Sequence, residues 1–262
     1  MDRPKLIATD MDGTLLNSDG VVSPRNGAAL TRAREEGVPV VVVTGRPPRW
    51  LDAIADTLPE GLAVCGNGAV TVDLASGAIV DEHLLAPPLL HELVGRVRAE
   101  VPDIAFALEY GDELHHERGY RAGGDAALPG ITEGDLDEFL NRPAVKLLGQ
   151  IREWDPDELV AVGRKAVGDL ATVTHSSHTG VVEISAPGVT KGTGLAAVAQ
   201  QCGVAAVDIV AFGDMPNDLP MLSWAGRAVA MANAHPDVRE VADEITVSND
   251  EDGVAAVLER WF

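Results

Sequence analysis

Two ends of this chain share one pattern, and it limits the possible folds more than any other feature: short, unbroken apolar runs alternate with helical stretches. Residues 5–9 (KLIAT) and 38–44 are apolar without alternation, as strands buried on both faces are. Between them Ser23-Pro24 is a helix start, with an N-cap followed by Pro at the first helical position, and Gly37 is a stop. Residues 47–58 read as a second helix, and 61–65 as a third strand that ends at Gly66-Asn67-Gly68. The pattern returns late in the chain with a helix over 191–201, a strand over 208–212, a helix over 215–224 and a last short strand over 227–231. Such alternation predicts an α/β fold, a Rossmann-like doubly wound parallel sheet covered on both faces.

The middle departs from the pattern. Residues 87–100 read as a helix, 104–109 as a strand, and 119–134 as a stretch rich in Gly, Ala and charge. Strand-like runs follow at 145–151, 171–174 and 180–185, with a helix over 155–168 opened by Asp155-Pro156. Neighbouring strands with helices set apart predict an α+β module, over 83–185, inserted into a discontinuous core domain of residues 1–82 and 186–262.

Composition excludes several function classes. With 46% hydrophobic residues among 262, the chain can bury a core and is not intrinsically disordered. Twenty basic against 41 acidic side chains give a net charge of -21, which argues against nucleic acid as a partner, since phosphate backbones are held by clustered Lys and Arg. No apolar run approaches a membrane span, and the first residues carry no secretory signal, so a cytoplasmic location is expected, with no membrane role. Cys65 and Cys202 form no CxxC and read as small, buried, reduced thiols.

In open α/β sheets ligands bind at the carboxyl ends of strands. The residues just past the apolar runs are Asp10-Met11-Asp12-Gly13-Thr14, Thr44-Gly45-Arg46 and Gly213-Asp214-Met215-Pro216-Asn217-Asp218, while Val189-Thr190-Lys191-Gly192 opens a helix. Asp10 and Asp12 brought beside Asp214 and Asp218 repel one another unless a cation lies between them. All-oxygen ligation of this kind suits Mg2+ together with a substrate phosphate. No HExxH or cysteine cluster supports a zinc site, and Gly192-Thr193-Gly194 lacks the GxxxxGK[ST] of a Walker loop.

DMDGTLL at 10–16, TGR at 44–46, the Lys191 element and GDMPND at 213–218 together resemble the four motifs of the haloacid dehalogenase superfamily. Asn67-Gly68-Ala69 and the insert between the second and third motifs resemble its Cof-type branch, which carries a large α/β cap of the C2B type. The resemblance implies that Asp10 is a nucleophile forming an aspartyl phosphate and that Asp12 is the general acid and base. It implies that Thr44 and the Gly45 amide hold phosphoryl oxygens, with Asn67 and Asn217 near the substrate, and that Lys191 neutralises charge. Mg2+ is then bound by Asp10, Asp214 and the Asp12 carbonyl, with Asp218 behind them. Superfamily members that are dehalogenases or ion pumps lack an acid at the position of Asp12, so the resemblance implies a phosphatase acting on a small phosphate ester, a sugar phosphate being the leading class. A phosphoryl transferase or phosphomutase, and a receiver-like module that accepts or binds phosphate without turnover, are the alternatives. In the insert His115, His116, Arg118, Arg121, Lys146, His175, His178 and Glu183 are polar candidates for a leaving group, with Glu183 foremost. Nothing in the sequence indicates an oligomeric state.

Overall fold

The first apolar runs form β1 (Leu6–Thr9) and β2 (Val40–Val43), joined by α1 (Pro24–Glu35), in a computed structural model that describes residues 3–122 and 130–262. Ser23 caps α1 as its sequence requires, accepting a hydrogen bond from Asn26 N at 3.1 Å. β3 (Leu62–Cys65), β4 (Val70–Asp73) and β5 (Ile79–Glu82) complete this segment. The middle contributes α2 (Pro87–Glu100), β6 (Ala105–Glu109), β7 (Leu114–Glu117), β8 (Ile131–Gly134), α3 (Leu136–Phe139), β9 (Lys146–Gln150), α4 (Pro156–Val167), β10 (Thr172–Thr174) and β11 (Val181–Ser185). The last segment holds α5 (Lys191–Cys202), β12 (Ile209–Gly213), α6 (Leu219–Trp224), β13 (Arg227–Ala230), α7 (Pro236–Val241), β14 (Glu244–Ile245) and α8 (Gly253–Leu258).

The described residues divide into two units. One draws on Met1–Arg46, Trp50–Asp81 and Thr190–Phe262, the other on Pro47–Arg49 and Glu82–Val189. The first unit is built on an eight-stranded sheet of order β14-β13-β12-β1-β2-β3-β4-β5. From β14 to β3 every neighbouring pair is parallel, with Ile7 level with Val40 on one side and Val210 on the other. β1, β2 and β12 are buried along their whole length, which is why their sequences show no alternation. α1 packs with α8 and α5 with α6, α5 lying against β2 and β3 and α6 against β12 and β13.

The second unit has a six-stranded sheet of order β10-β11-β9-β6-β7-β8, antiparallel throughout except for β7 and β8. Strand alternation puts Phe106, Leu108, Leu147, Val182 and Ile184 on one face, all fully buried, and Gly163 of α4 sits against Val173 and Val182 there. The opposite face carries Glu109, Lys146 and Glu183. Lys146 Nζ donates to Glu183 at 2.9 Å, Ser176 donates to the other oxygen of Glu183, and Arg49 makes a two-pronged pair with Glu109.

Several expectations are corrected. Residues 47–58 form two 3-10 turns, Pro48–Trp50 and Asp52–Ile54, instead of one helix. Pro48 pushes Pro47 out of the α region, so the first turn opens at 48. Residues 215–224 are a 3-10 turn (Pro216–Asp218) leading into a short α6, because the Asp218 carboxylate folds back onto the amides of Asp214 and Met215 at 2.9 and 3.0 Å. β13 is not the last strand: β14 follows it, and its two residues are too few to show a period. The parallel sheet is extended by β4, which runs antiparallel to β3, and by β5. Cys65 is buried but Cys202, at the end of α5, is exposed. Part of the Gly- and Ala-rich stretch falls at 123–129, outside the described residues, and β7 and β8 lie on either side of it.

The turn that ends β3 is fixed by close approach. Gly68 has φ +105° and a Cβ there would stand 2.2 Å from the carbonyl oxygen of Thr190, whereas Gly20, at φ +75°, has nothing within 4 Å. Alanine at either site carries a left-handed backbone penalty of about 1–2 kcal/mol. Gly68→Ala adds an overlap worth about 1–3 kcal/mol more. Thermal unfolding of the two variants should therefore show a clearly larger loss for Gly68→Ala, and equal losses would mean that backbone conformation alone governs the turn.

Candidate active site

The carboxyl ends of β1, β2, β3 and β12 carry Asp10, Thr44, Asn67 and Asp214, so parallel pairing brings distant sequence segments together. Asp10 N donates to Phe212 O at 3.0 Å, which continues the β1–β12 ladder one step past the strand. α5 opens with a capping box between Thr190 and Thr193, and its first residue is Lys191. Lysine is disfavoured beside the positive end of a helix dipole. Lys191 is nevertheless 1% exposed, and its ammonium donates to Asp10 Oδ1 at 2.6 Å and to Asp218 Oδ1 at 2.7 Å.

Asp10, Asp214 and Asp218 bring carboxylate oxygens within 4.8 Å of one another, all of them buried. Burial, followed by repulsion from Asp218 and Asp214 and opposed by Lys191, holds the Asp10 carboxyl well above the usual carboxylate range. Burial and Asp218 push Asp214 up to about 7 against the hydrogen bond from Thr14. Burial would depress the Lys191 ammonium, but attraction to Asp10 and Asp218 outweighs it and raises the group above an ordinary lysine. One ammonium does not balance three carboxylates in a low-dielectric site, so the donor set calls for further positive charge.

The hydrogen bonds decide which oxygens are available for it. Asp218 gives one oxygen to Lys191 and the other to two backbone amides, so both are committed to the protein. Asp214 Oδ1 accepts from Thr14 Oγ1 at 2.8 Å, and a Cβ on Gly13 would stand 2.3 Å from Asp214 Oδ2. Gly13, at φ +74°, is thus required for Asp214 to come this close. Asp10 and Asp214, oxygen donors with no sulfur or imidazole between them, fit a hard divalent cation such as Mg2+.

Asp12 is placed differently. Its side chain is 57% exposed and both of its oxygens are held by Arg46, Nε to Oδ2 at 2.7 Å and Nη2 to Oδ1 at 2.6 Å. The bond to Asp12 raises the Arg46 guanidinium above its ordinary value. Thr44 is buried and its hydroxyl oxygen accepts from Arg46 N at 3.0 Å, with Gly45 half-buried beside it. Asn67 is buried, and its Oδ1 accepts from Asn217 Nδ2 at 3.0 Å. Glu183 lies in the second unit, buried and bonded to Lys146 and Ser176. Arg46, read from the sequence as a residue that packs or pairs, pairs with Asp12, and Thr14 was given no role. Both stand inside motifs already singled out, and no period or spacing reveals which carboxylate each will meet.

Residues 7–258 match the family of haloacid dehalogenase-like hydrolases. The chain is 30% identical over 258 residues to the 5-amino-6-(5-phospho-D-ribitylamino)uracil phosphatase YcsE of Bacillus subtilis (strain 168), across 98% of this chain and 95% of the relative. It is 32% identical over 275 residues to YitU, a phosphatase of the same description in that organism, across 99% of this chain and 98% of the relative. The crystal structure of SMU.1108c from Streptococcus mutans UA159 is similar at a TM-score of 0.87 and 25% identity, over 98% of each chain. With four motifs in order at the strand and helix ends, and a match that runs through nearly the whole sequence, the chain belongs to the haloacid dehalogenase-like hydrolases, in their Cof-type branch.

Proposed function

We propose that this protein is a Mg2+-dependent phosphomonoester hydrolase that works through an aspartyl phosphate on Asp10. The observation that carries this reading is the buried Lys191 ammonium shared by Asp10 and Asp218, with Asp214 alongside. A carboxylate beside a fixed cation can receive an anionic phosphoryl group, and charge neutralisation with positioning is most of what phosphoryl transfer needs from a protein.

In the first step Asp10 attacks phosphorus, a carboxylate oxygen–phosphorus bond forms, and the bond to the leaving oxygen breaks as that oxygen takes a proton from Asp12. In the second step water attacks the aspartyl phosphate, Asp12 takes the water's proton, and inorganic phosphate leaves with the Asp10 carboxylate restored. Arg46 orients the Asp12 carboxylate and must yield one of its two hydrogen bonds for that proton to move. Lys191, the Thr44 hydroxyl and the Gly45 amide hold phosphoryl oxygens, and Asp218 fixes Lys191. Asp10, Asp214 and the Asp12 carbonyl would hold Mg2+, which offsets the negative charge of the phosphoryl group.

The substrate in this reading is a small phosphorylated metabolite of the sugar phosphate class. The two Bacillus relatives are named for a phosphate ester on a ribityl chain, and a polyol phosphate of that sort falls in the same class. Residues 83–185 serve as the cap that selects it, and Glu183, paired with Lys146, is the residue assigned to the leaving group. Among the described residues no helix is long and apolar enough to cross a membrane.

Phosphate release from an aryl phosphate and a panel of sugar phosphates should require Mg2+, disappear in EDTA and be lost in Asp10→Asn. Absence of release from every ester by the wild type would overturn the reading. Mg2+ should also raise the thermal midpoint of the wild type, because a bound ligand stabilises the folded state by mass action. Asp214→Asn should lose that rise, and an equal rise in the variant would move the cation away from Asp214.

A further inference from the structure

Asn67 occupies a position where glycine would be the easy choice. Its backbone is left-handed, at φ 61° and ψ 28°, between Gly66 and Gly68, which also have positive φ. A side chain in this conformation costs free energy that glycine avoids, although asparagine tolerates it better than most. The residue is 2% exposed, so solvation does not account for the amide. Its Oδ1 accepts a hydrogen bond from Nδ2 of Asn217, 150 residues away and itself 4% exposed. The Oδ1 of Asn217 is buried without a hydrogen-bond partner among the described residues.

The turn around Asn67 touches three of the four motifs in this unit. Asn67 N donates to Thr44 O at 3.0 Å and Gly66 N to Arg46 O at 2.9 Å, so the turn is laced to the segment after β2. Gly68 lies against the carbonyl of Thr190, the N-cap of the helix that begins with Lys191. Asn217 lies in the 3-10 turn that also presents Asp218 to Lys191.

An amide has two ends of opposite hydrogen-bonding sense, and its orientation is set by whichever partner holds one end. We infer that Asn67 is a positioning residue that acts through Asn217: it holds Asn217 Nδ2, fixes the sense of that amide, and turns Asn217 Oδ1 out as a buried acceptor for a donor in the site. In this role Asn67 does not itself touch substrate, unlike the expectation drawn from the family motif. The inference rests on the phosphatase reading only for its kinetic consequence. The hydrogen bond and the orientation it imposes are independent of that reading.

The test uses Asn67→Gly, which keeps the backbone conformation and deletes only the amide, together with Asn217→Ala and the double variant. In aryl phosphate hydrolysis with Mg2+, Asn67→Gly should lower kcat by about tenfold to a hundredfold, the range expected for a misplaced polar group, with KM changed far less. The double variant should be no slower than Asn217→Ala alone, because residues acting through one another are non-additive. Additive losses, or a KM rise that varies from one substrate to the next, would show direct substrate contact by Asn67 and overturn the inference. A second readout needs no turnover. The Asn217 side-chain amide protons, assigned by their loss in Asn217→Ala, should exchange slowly with solvent in the wild type and faster in Asn67→Gly, at a similar thermal midpoint. Unchanged exchange in Asn67→Gly would also overturn it. If the wild type released no phosphate, the phosphatase reading would fall while the exchange measurement still decided the role of Asn67.

Discussion

A buried ammonium shared by two carboxylates organises the larger unit of this protein. Lys191 sits at the start of α5, Asp10 just past β1, and the pair is 181 positions apart in sequence. An ammonium excluded from water and left without partners is strongly unfavourable, and breaking such a pair costs roughly 3–5 kcal/mol. The N-terminus of α5 must therefore lie at the carboxyl end of β1, and β12 must lie beside β1 so that Asp218 can reach the same nitrogen. The first and last segments of the chain form a single sheet, and the insert between them does not interrupt it.

Asp218 shows how one side chain serves fold and site together. Its second oxygen takes the amides of Asp214 and Met215, and a Cβ on Gly213 would come within 2.7 Å of its Cβ. The loop after β12 is wound tightly round this carboxylate, which leaves Asp214 pointing toward Asp10. The low-dielectric interior makes these choices costly to undo, because each carboxylate turned away from its partner remains buried. Asp12, exposed and held at both oxygens by Arg46, lies outside that constraint.

The strands around the site were legible because they are buried on both faces. β1, β2, β3 and β12 appear in the sequence as apolar runs, and the residues that follow them are the ones the sheet assembles. Helix starts at Ser23 and Asp155 were legible as caps, and both side chains accept amide hydrogen bonds. β4, β5, β7, β8 and β14 left no signal that stood out. Their sequences mix polar with apolar residues, and β5 and β8 are largely exposed, so no unbroken apolar run develops. The stretch at 47–58, read as a helix, folds as two 3-10 turns.

The sequence by itself determined the α/β class, the strands at the centre of the sheet, the motif residues at their ends and the family to which they belong. Those features depend on local composition and order, which a single chain displays directly. Tertiary structure alone decided the pairing of Arg46 with Asp12, of Asn67 with Asn217, of Thr14 with Asp214, and of Lys146 with Glu183 on the polar face of the second sheet. A side chain's type states what it can bond, but its partner is chosen by which backbone segments the fold brings within about 3 Å, the reach of a hydrogen bond. That choice belongs to the packed structure, and in this protein it turns a set of motif residues into an arranged site.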